Sequence, residues 1–472
     1  MVSAGSGVVP GCLGLRQMDP PLASVSWHAP VSSETIMDFD LPADLVRYLA
    51  QLDDFIEGDI RPLEREDDNT RFFDHRREWA RTDFEGGGLP RKEWEALLHK
   101  AQRRADEAGH FRFSAPRRYG GQEGSNLWMA VIRDHLARRG LGLHNDLQNE
   151  HSIVGNFPFV LMFESFGTQA QQDEFIPGGF DRSRIVAFGL TEPDHGSDAT
   201  HMETTAVPET RDGVAGWRID GAKMWITNMH VASHCACFAR TSGKVGDARG
   251  ITCFLVPVGT PGMDVDEYLW TFNMPTDHAR MTFTDCWVPH SAILGPVDNG
   301  LAVAQSFVHQ NRIRQAASSL GAASYCVAES VAYALQRKPF GQELARNQAI
   351  QFPLVELATQ CEMLRLLIYR TAWEMDRLDH HRIEREMSDK ISMCNYWANR
   401  LVCEAAERAI QVHGGIGYSR HKPFEHIFRH HRRYRITEGS EEIQMRKVGA
   451  YLFGYAGPNK RGLGQTDSPH GA

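Results

Sequence analysis

The chain has no apolar run approaching the ~20 residues that a bilayer-crossing helix needs, so no transmembrane segment is predicted. It has no Cys-x-x-Cys pair. Its nine cysteines are scattered, and Cys235 and Cys237 stand too close in one strand pattern to suggest a disulfide framework. That usage reads as reduced thiols in a cytoplasmic setting. Basic residues are in the minority: 51 Lys and Arg against 60 Asp and Glu leave a net charge of −9, the wrong sign for a chain whose main partner is nucleic acid. The basic stretch "RHHRRYR" reads instead as a solvated or subunit-facing surface. His426 and His430 stand four apart without the acidic partner of an HExxH motif, so no metal is expected. Residues 1–40, rich in Gly, Pro and Ser and broken at Pro10 and Gly14, make a poor signal peptide and read as a disordered extension, with Met18 or Met37 as alternative starts.

What is present is a 472-residue chain with 42% apolar and 24% charged residues, enough for about three domains or one large enzyme core. Its hydrophobic period changes twice. Residues 41–184 carry apolar side chains three or four apart, as in "RKEWEALLHKAQRRADEAG", and predict a helical domain. Residues 185–300 switch to a period of two, as in "GITCFLVPV", and predict a β domain of barrel-like or sandwich type. Residues 301–456 return to helices. There Ile350, Leu354, Leu357, Cys361, Leu364 and Ile368 form a stripe that a bundle would bury. Four main helices are expected, the last from Glu441 to Phe453, before a flexible tail over 457–472. The fold class is α+β, with the β domain between two helical ones, where clefts form.

Five short stretches invite chemistry. "FGLTEPDHGSD" runs from a strand into a turn whose amides and the hydroxyls of Thr191 and Ser197 can meet a ligand, or it is an ordinary Asx-type turn. "GAKMWITN" reads as a strand leaving a hairpin turn at Asp220-Gly221, with Trp225 and Thr227 on one face. A flat aromatic beside a hydroxyl suits a planar heterocycle, although by itself Trp225 reads better as core. "RKPFG" places Arg337 and Lys338 at a helix end, where the dipole favours cations and where a pyrophosphate could be held. "QVHGGIGY" offers glycines at which backbone can approach a ligand. In "YRITEGSEEIQ", Ser440 reads as an N-cap and Glu441 and Glu442 as first-turn acids, leaving Glu438 outside the helix on a Thr-Glu-Gly bend. A carboxylate so placed is a candidate general base.

In this order and spacing the five stretches resemble the acyl-CoA dehydrogenase family from about Leu41 to Phe453. The resemblance implies FAD, an acyl-CoA substrate, an electron-transfer flavoprotein or similar acceptor, and a homodimer or homotetramer. It makes Glu438 the base that removes the α-proton while the β-hydride passes to flavin N5, giving a trans-2-enoyl-CoA, with the Glu438 N–H polarising the thioester carbonyl. Phe188, Leu190, Thr191, Ser197, Trp225 and Thr227 would line the flavin. Arg337, Phe340, Gln348, Gln411, Gly414 and Gly415 match positions that reach the FAD of a neighbouring subunit, and Ser440 and Glu442 match positions that touch flavin again. Ser197, Arg312 and Gly439 would face substrate. Some members carry the base just before that arginine; here Asn311 stands there, so Glu438 is the expected base. Thr437 replaces a tyrosine common in the family and "HQNR" replaces an "FDKTR"-like segment, so the acyl pocket differs from that of straight-chain members. The rival readings are an acyl-CoA oxidase or flavin monooxygenase on the same fold, and a non-catalytic CoA-binding protein.

Overall fold

The structure, a computed structural model, describes residues 39–145, 152–458 and 460. The expected extension up to residue 38, with Met18 and Met37, and the tail beyond 460 lie outside these residues. The chain divides into a leading unit that ends at Val46 and a main unit from Arg47 onward. In the leading unit Ala43 begins helix α1 (Ala43–Phe55), and the Val46 N–H donates to the Pro42 carbonyl at 3.0 Å.

The first part of the main unit is helical: α2 (Lys92–Glu107), α3 (Asn126–Arg138), α4 (Pro158–Phe166) and α5 (Gln169–Phe180). Local chemistry sets their starts. Ser125 accepts from the Trp128 N–H to cap α3, and Thr168 and Gln171 form a reciprocal capping box on α5. Trp94, Leu97, Leu98 and Ala101 lie on one face of α2 and are buried against Met129, Ile132 and Leu136 of α3.

Eight strands follow: β1 (Val186–Gly189), β2 (Thr205–Arg211), β3 (Val214–Thr227), β4 (His234–Arg240), β5 (Ile251–Pro257), β6 (Met263–Tyr268), β7 (His278–Pro289) and β8 (Ile293–Leu294). They form one sheet in the order β8-β5-β4-β2-β3-β7-β6, with β1 parallel to β4. Cys235 and Cys237 on β4 are buried and unpaired. The hairpin turn that starts β3 is at Asp212-Gly213, both at positive φ, and not at Asp220-Gly221 as the sequence suggests. Asp220-Gly221 is an irregularity inside a 14-residue strand. Both settings ask for positive φ, so the dipeptide alone does not separate them. Gly221 is required twice over: its φ is +151°, and a Cβ there would lie 2.6 Å from Thr204 Cα.

The C-terminal region holds α6 (Val308–Gln336), α7 (Gln348–Met375), α8 (His380–His413), α9 (Phe424–Arg432) and α10 (Glu441–Leu452). The expected stripe on α7 is buried from Leu354 to Ile368, while Ile350 in the first turn is only partly buried. The opposite face of α7 exposes a second apolar row: Phe352, Val355, Met363, Leu366 and Trp373. The helical parts meet where Gly321 on α6 passes the α3 backbone; a Cβ there would fall 2.4 Å from the Asp134 carbonyl oxygen and 2.7 Å from Ala137 Cβ. Gly321→Ala should therefore destabilise the protein by about 1–3 kcal/mol, as overpacking does, measured as a lowered denaturant midpoint. An unchanged midpoint would mean that α3 and α6 separate freely.

Candidate active site

The turn after β1 is tied to β3 by a buried ion pair. Lys223 Nζ donates to Glu192 Oε1 at 2.8 Å and to the Leu190 carbonyl at 3.3 Å, and the Glu192 carboxylate also accepts the N–H groups of Glu203 and Thr204 at 2.6 and 2.9 Å. Burial pushes the Glu192 carboxyl up, but the Lys223 ammonium and these hydrogen bonds outweigh it and hold the group below the usual carboxylate range. The Met224 N–H adds a bond to the Thr191 carbonyl at 2.9 Å. Together these contacts place Thr191 beside the Met224 to Thr227 stretch.

The same stretch presents Trp225. Its φ is +64° and its side chain is 50% exposed, while its neighbours Lys223 and Ile226 are buried. Core packing, the reading favoured for this residue taken alone, is thereby excluded: the backbone bears strain to turn a large flat face outward. Thr227 is half-buried, with Oγ1 3.1 Å from His278 Nδ1. Leu190 and Thr191 are half-buried and Ser197 is exposed on the turn. Phe188 meets Phe307, just before α6, at 5.4 Å between ring centres, which brings the end of β1 to the start of the bundle.

Arg312, on the second turn of α6, reaches the Thr-Glu-Gly bend. Its Nη2 and Nε donate to the Glu438 carbonyl at 2.6 and 3.1 Å. Glu438 has φ +54°, followed by Gly439 at +89°. A side chain at Gly439 would meet Arg312 Nη2 at 2.8 Å, so glycine there serves both the bend and the arginine. Glu438 Oε1 accepts from Asn311 Nδ2 at 3.1 Å and from Gln315 Nε2 at 3.0 Å. Ser440 caps α10 by accepting from the Ile443 N–H, as expected, and Glu442 is exposed in the first turn.

Glu441 does more than answer the helix dipole. It is buried and paired with both Arg400 and Arg435, which hold its carboxyl down to about 2 and pin the bend to α8. The stretch around "RHHRRYR" is likewise not a solvated face: His430 and His431 are buried, and Arg429 pairs with Glu425 and Glu78. His426 is buried too, and His430 Nε2 lies 3.1 Å from the Tyr434 hydroxyl.

The structure does not bring the remaining candidates to this place. Arg337 ends α6, 25 residues beyond Arg312, and at ~1.5 Å per residue a straight helix separates them by about 37 Å. Tyr333 stacks on His413 at 4.3 Å, which joins that end of α6 to the end of α8. Arg337, Phe340, Gln348, Gln411, Gly414 and Gly415 are all exposed. Phe340, at φ +54°, is fully exposed among the described residues. A Cβ on Gly415 would meet nothing within 4 Å and its φ is ordinary, so the space beside it is open to an outside group.

The segments that carry these parts, a β-domain ledge with an outward indole, a carboxylate bend and a distant cationic and glycine-rich end, fall within matches to known proteins. The acyl-CoA dehydrogenase middle-domain model matches residues 187–286 and the C-terminal-domain model residues 298–453. An acyl-CoA dehydrogenase of Bacillus subtilis is 32% identical over 342 residues, covering 72% of this chain and 86% of that protein. The chain belongs to the acyl-CoA dehydrogenase family. A 3-(aryl)acrylate reductase of Clostridium sporogenes is 30% identical over 421 residues, 88% of this chain and 100% of that one. The butyryl-CoA dehydrogenase of Megasphaera elsdenii superposes with a TM-score of 0.70 at 26% identity, covering 88% of this chain and all of that one.

As an acyl-CoA dehydrogenase family member the protein is an oxidoreductase whose cofactor is FAD. The residues present fit that group: an outward indole beside threonine hydroxyls suits the flat, polar-edged ring, and Arg337 suits a diphosphate. Sequence reasoning missed Glu192 and Lys223, although both lie inside the recognised motifs, because a buried acid and a solvated one are the same letter. Among the described residues no helix is long and apolar enough to cross a membrane, and no group of three or more His, Cys, Asp or Glu is placed to hold a metal.

Lys223→Met should cost about 3–5 kcal/mol by leaving Glu192 buried without its cation, seen as a lower denaturant midpoint and poor flavin retention. The pH dependence has a definite sign. With its folded pKa depressed, Glu192 contributes stability that is complete above its unfolded pKa of about 4.3 and is lost as pH falls through the lower folded value. Unfolding midpoints taken from pH 6 down to pH 3 should show this acid loss in the parent and not in Lys223→Met.

Proposed function

We propose that this enzyme dehydrogenates an acyl-CoA thioester at Cα–Cβ to the trans-2-enoyl-CoA, with Glu438 as the base. The observation that carries the reading is the bend itself: a carboxylate on a left-handed turn, its carbonyl held by Arg312 and its Oε1 by two carboxamides. Such a group is already oriented before substrate arrives, which is what proton abstraction from a weakly acidic carbon requires. The Glu438 N–H donates to the thioester carbonyl and stabilises the enolate charge as the α-proton leaves. FAD, when bound, would supply the two-electron oxidant for the β-hydride. Phe188, Leu190, Thr191, Ser197, Trp225 and Thr227 position the flavin ring, with Ser440 and Glu442 at the bend, while Ser197, Arg312 and Gly439 border the substrate.

The ~37 Å between Arg312 and Arg337 supports a shared site. Arg337, Phe340, Gln348, Gln411, Gly414 and Gly415 reach the FAD of a neighbouring subunit, so the functional unit is a homodimer or homotetramer. The exposed apolar row on α7 is a surface such an assembly covers. Electrons leave to an electron-transfer flavoprotein or similar acceptor, in a cytoplasmic setting. The domain limits that go with this reading are 41–184, 185–300 and 301–456.

Glu438→Gln should fold, keep FAD and bind acyl-CoA while losing at least about 10²–10⁴-fold in turnover, the usual worth of a positioned base. Anaerobic bleaching of the flavin by a panel of acyl-CoA thioesters measures this and defines the substrate. Turnover near that of the parent would assign the base elsewhere. Rapid reoxidation of the reduced enzyme–product complex in air, with peroxide formed, would make the protein an oxidase.

A further inference from the structure

Glu438 Oε1 is the meeting point of two hydrogen-bond chains that run through the protein interior. Along the first, Gln315 Nε2 donates to Oε1 at 3.0 Å, Asn395 Nδ2 donates to Gln315 Oε1 at 3.3 Å, and Asn399 Nδ2 donates to Asn395 Oδ1 at 3.1 Å. Ser319 Oγ donates to Asn399 Oδ1 at 2.7 Å and lies 3.0 Å from His431 Nδ1. Along the second, Asn311 Nδ2 donates to Oε1 at 3.1 Å, Asn156 Nδ2 donates to Asn311 Oδ1 at 2.9 Å, and Arg314 Nη1 donates to Asn156 Oδ1. Gln315, Ser319, Asn395, Asn399 and His431 are all buried. Helices α6 and α8 thus face each other with a polar seam, at i and i+4 on each, where apolar residues would ordinarily pack.

Physical chemistry fixes the direction of every bond. An ionised carboxylate only accepts, so Gln315 and Asn311 must turn their NH2 groups to it. Backbone carbonyls confirm the sense further back: Asn395 Nδ2 also donates to the Arg312 carbonyl at 2.9 Å, and Asn399 Nδ2 to the Tyr434 carbonyl at 3.1 Å. With its one proton committed to Asn399, Ser319 must accept from His431. Burial pushes the His431 imidazole down to about 3, so the ring is neutral and its single proton sits on Nδ1. All donors therefore point toward Glu438, one chain starting from a neutral imidazole and the other from a guanidinium, and aligned bonds of this kind reinforce one another.

We propose that the two convergent chains are a positioning device for the base: they hold Oε1 with two donors and so fix the direction of the carboxylate that takes the substrate α-proton, with Asn311 and Gln315 as positioning residues. The inference rests on the reading of Glu438 as the base. In the step, the Cα–H bond breaks and an O–H bond forms on the Glu438 carboxylate, while the electron pair passes into the new double bond as hydride leaves Cβ for the enzyme's oxidant. Donation to the ionised form keeps Glu438 charged at lower pH than it would otherwise be. The charged groups around the bend include, among the described residues, Arg312 on α6, Arg314 behind Asn156, Glu441 with Arg400 on α8 and Arg435, and Glu442 in the first turn of α10.

The test is the pH profile of kcat/KM for Gln315→Met and Asn311→Leu, which remove one donor each and leave those charges in place. Each should move the acid limb up by about one pH unit, a tenfold loss on its acid side, with the rate recovering at higher pH and FAD content unchanged. An acid limb at the parent position in both variants would overturn the proposal. Neutron diffraction from crystals of the parent holoenzyme needs no variant: deuterium on His431 Nδ1 and the Gln315 ND2 group facing Oε1 are expected, and a bare Nδ1 or an amide oxygen facing Glu438 would refute the chain. The two readings fail separately. If Glu438→Gln is inactive but the acid limb stays, the chain falls and the base stands; if Glu438→Gln is active, the base falls and the neutron result still decides the chain.

Discussion

The contact on which the site depends is the buried pair of Glu192 and Lys223. The turn after β1 and strand β3 are held side by side by partners 31 residues apart in sequence, and a solvent-exposed pair would supply little of that constraint. Burial changes the balance. Separating the partners inside the protein strands a charge at a cost of several kcal/mol, so the turn carrying Thr191 and the strand end carrying Trp225 move as one body. The backbone strain at Trp225 is tolerated because the residues on both sides are held.

The bend at Glu438 is built on a similar principle from different parts. Its carbonyl, its carboxylate and the following Glu441 are each anchored to a different residue of α6 or α8. A carboxylate on an unanchored loop would sample many rotamers, and ordering it would cost rate at each turnover. Here the ordering is done by folding. The helices that give the domain its core also give the Glu438 carboxylate its direction, which is why polar residues occupy interior positions that leucine or alanine would fill more cheaply.

Much of this was legible in the sequence, and the exceptions share a cause. The apolar stripe of α7, the Ser440 cap and the order of helical, β and helical segments are local or periodic, and they appear where expected. Taken alone, Trp225 reads as core because exposure depends on neighbours that spacing does not name, and only the family resemblance places it at a ligand. Asp220-Gly221 was placed at a turn because a bulge and a turn ask the same of the backbone. Glu441 looked explained by the helix dipole until Arg400, 41 residues earlier in the chain, was seen to hold it. Gln315, Asn395 and Asn399 carried no signal at all: a buried amide and a solvated amide are the same letter, and only tertiary structure separates them.

Helix α6 acts as a ruler. Because it carries Arg312 near one end and Arg337 just past the other, the shared site proposed above would put damage at the two ends of a single polypeptide on different catalytic centres. On that reading two defective alleles, one injured at the bend and one at the far glycine-rich end, would complement one another in a mixed assembly, since some of its centres draw both halves from the undamaged ends.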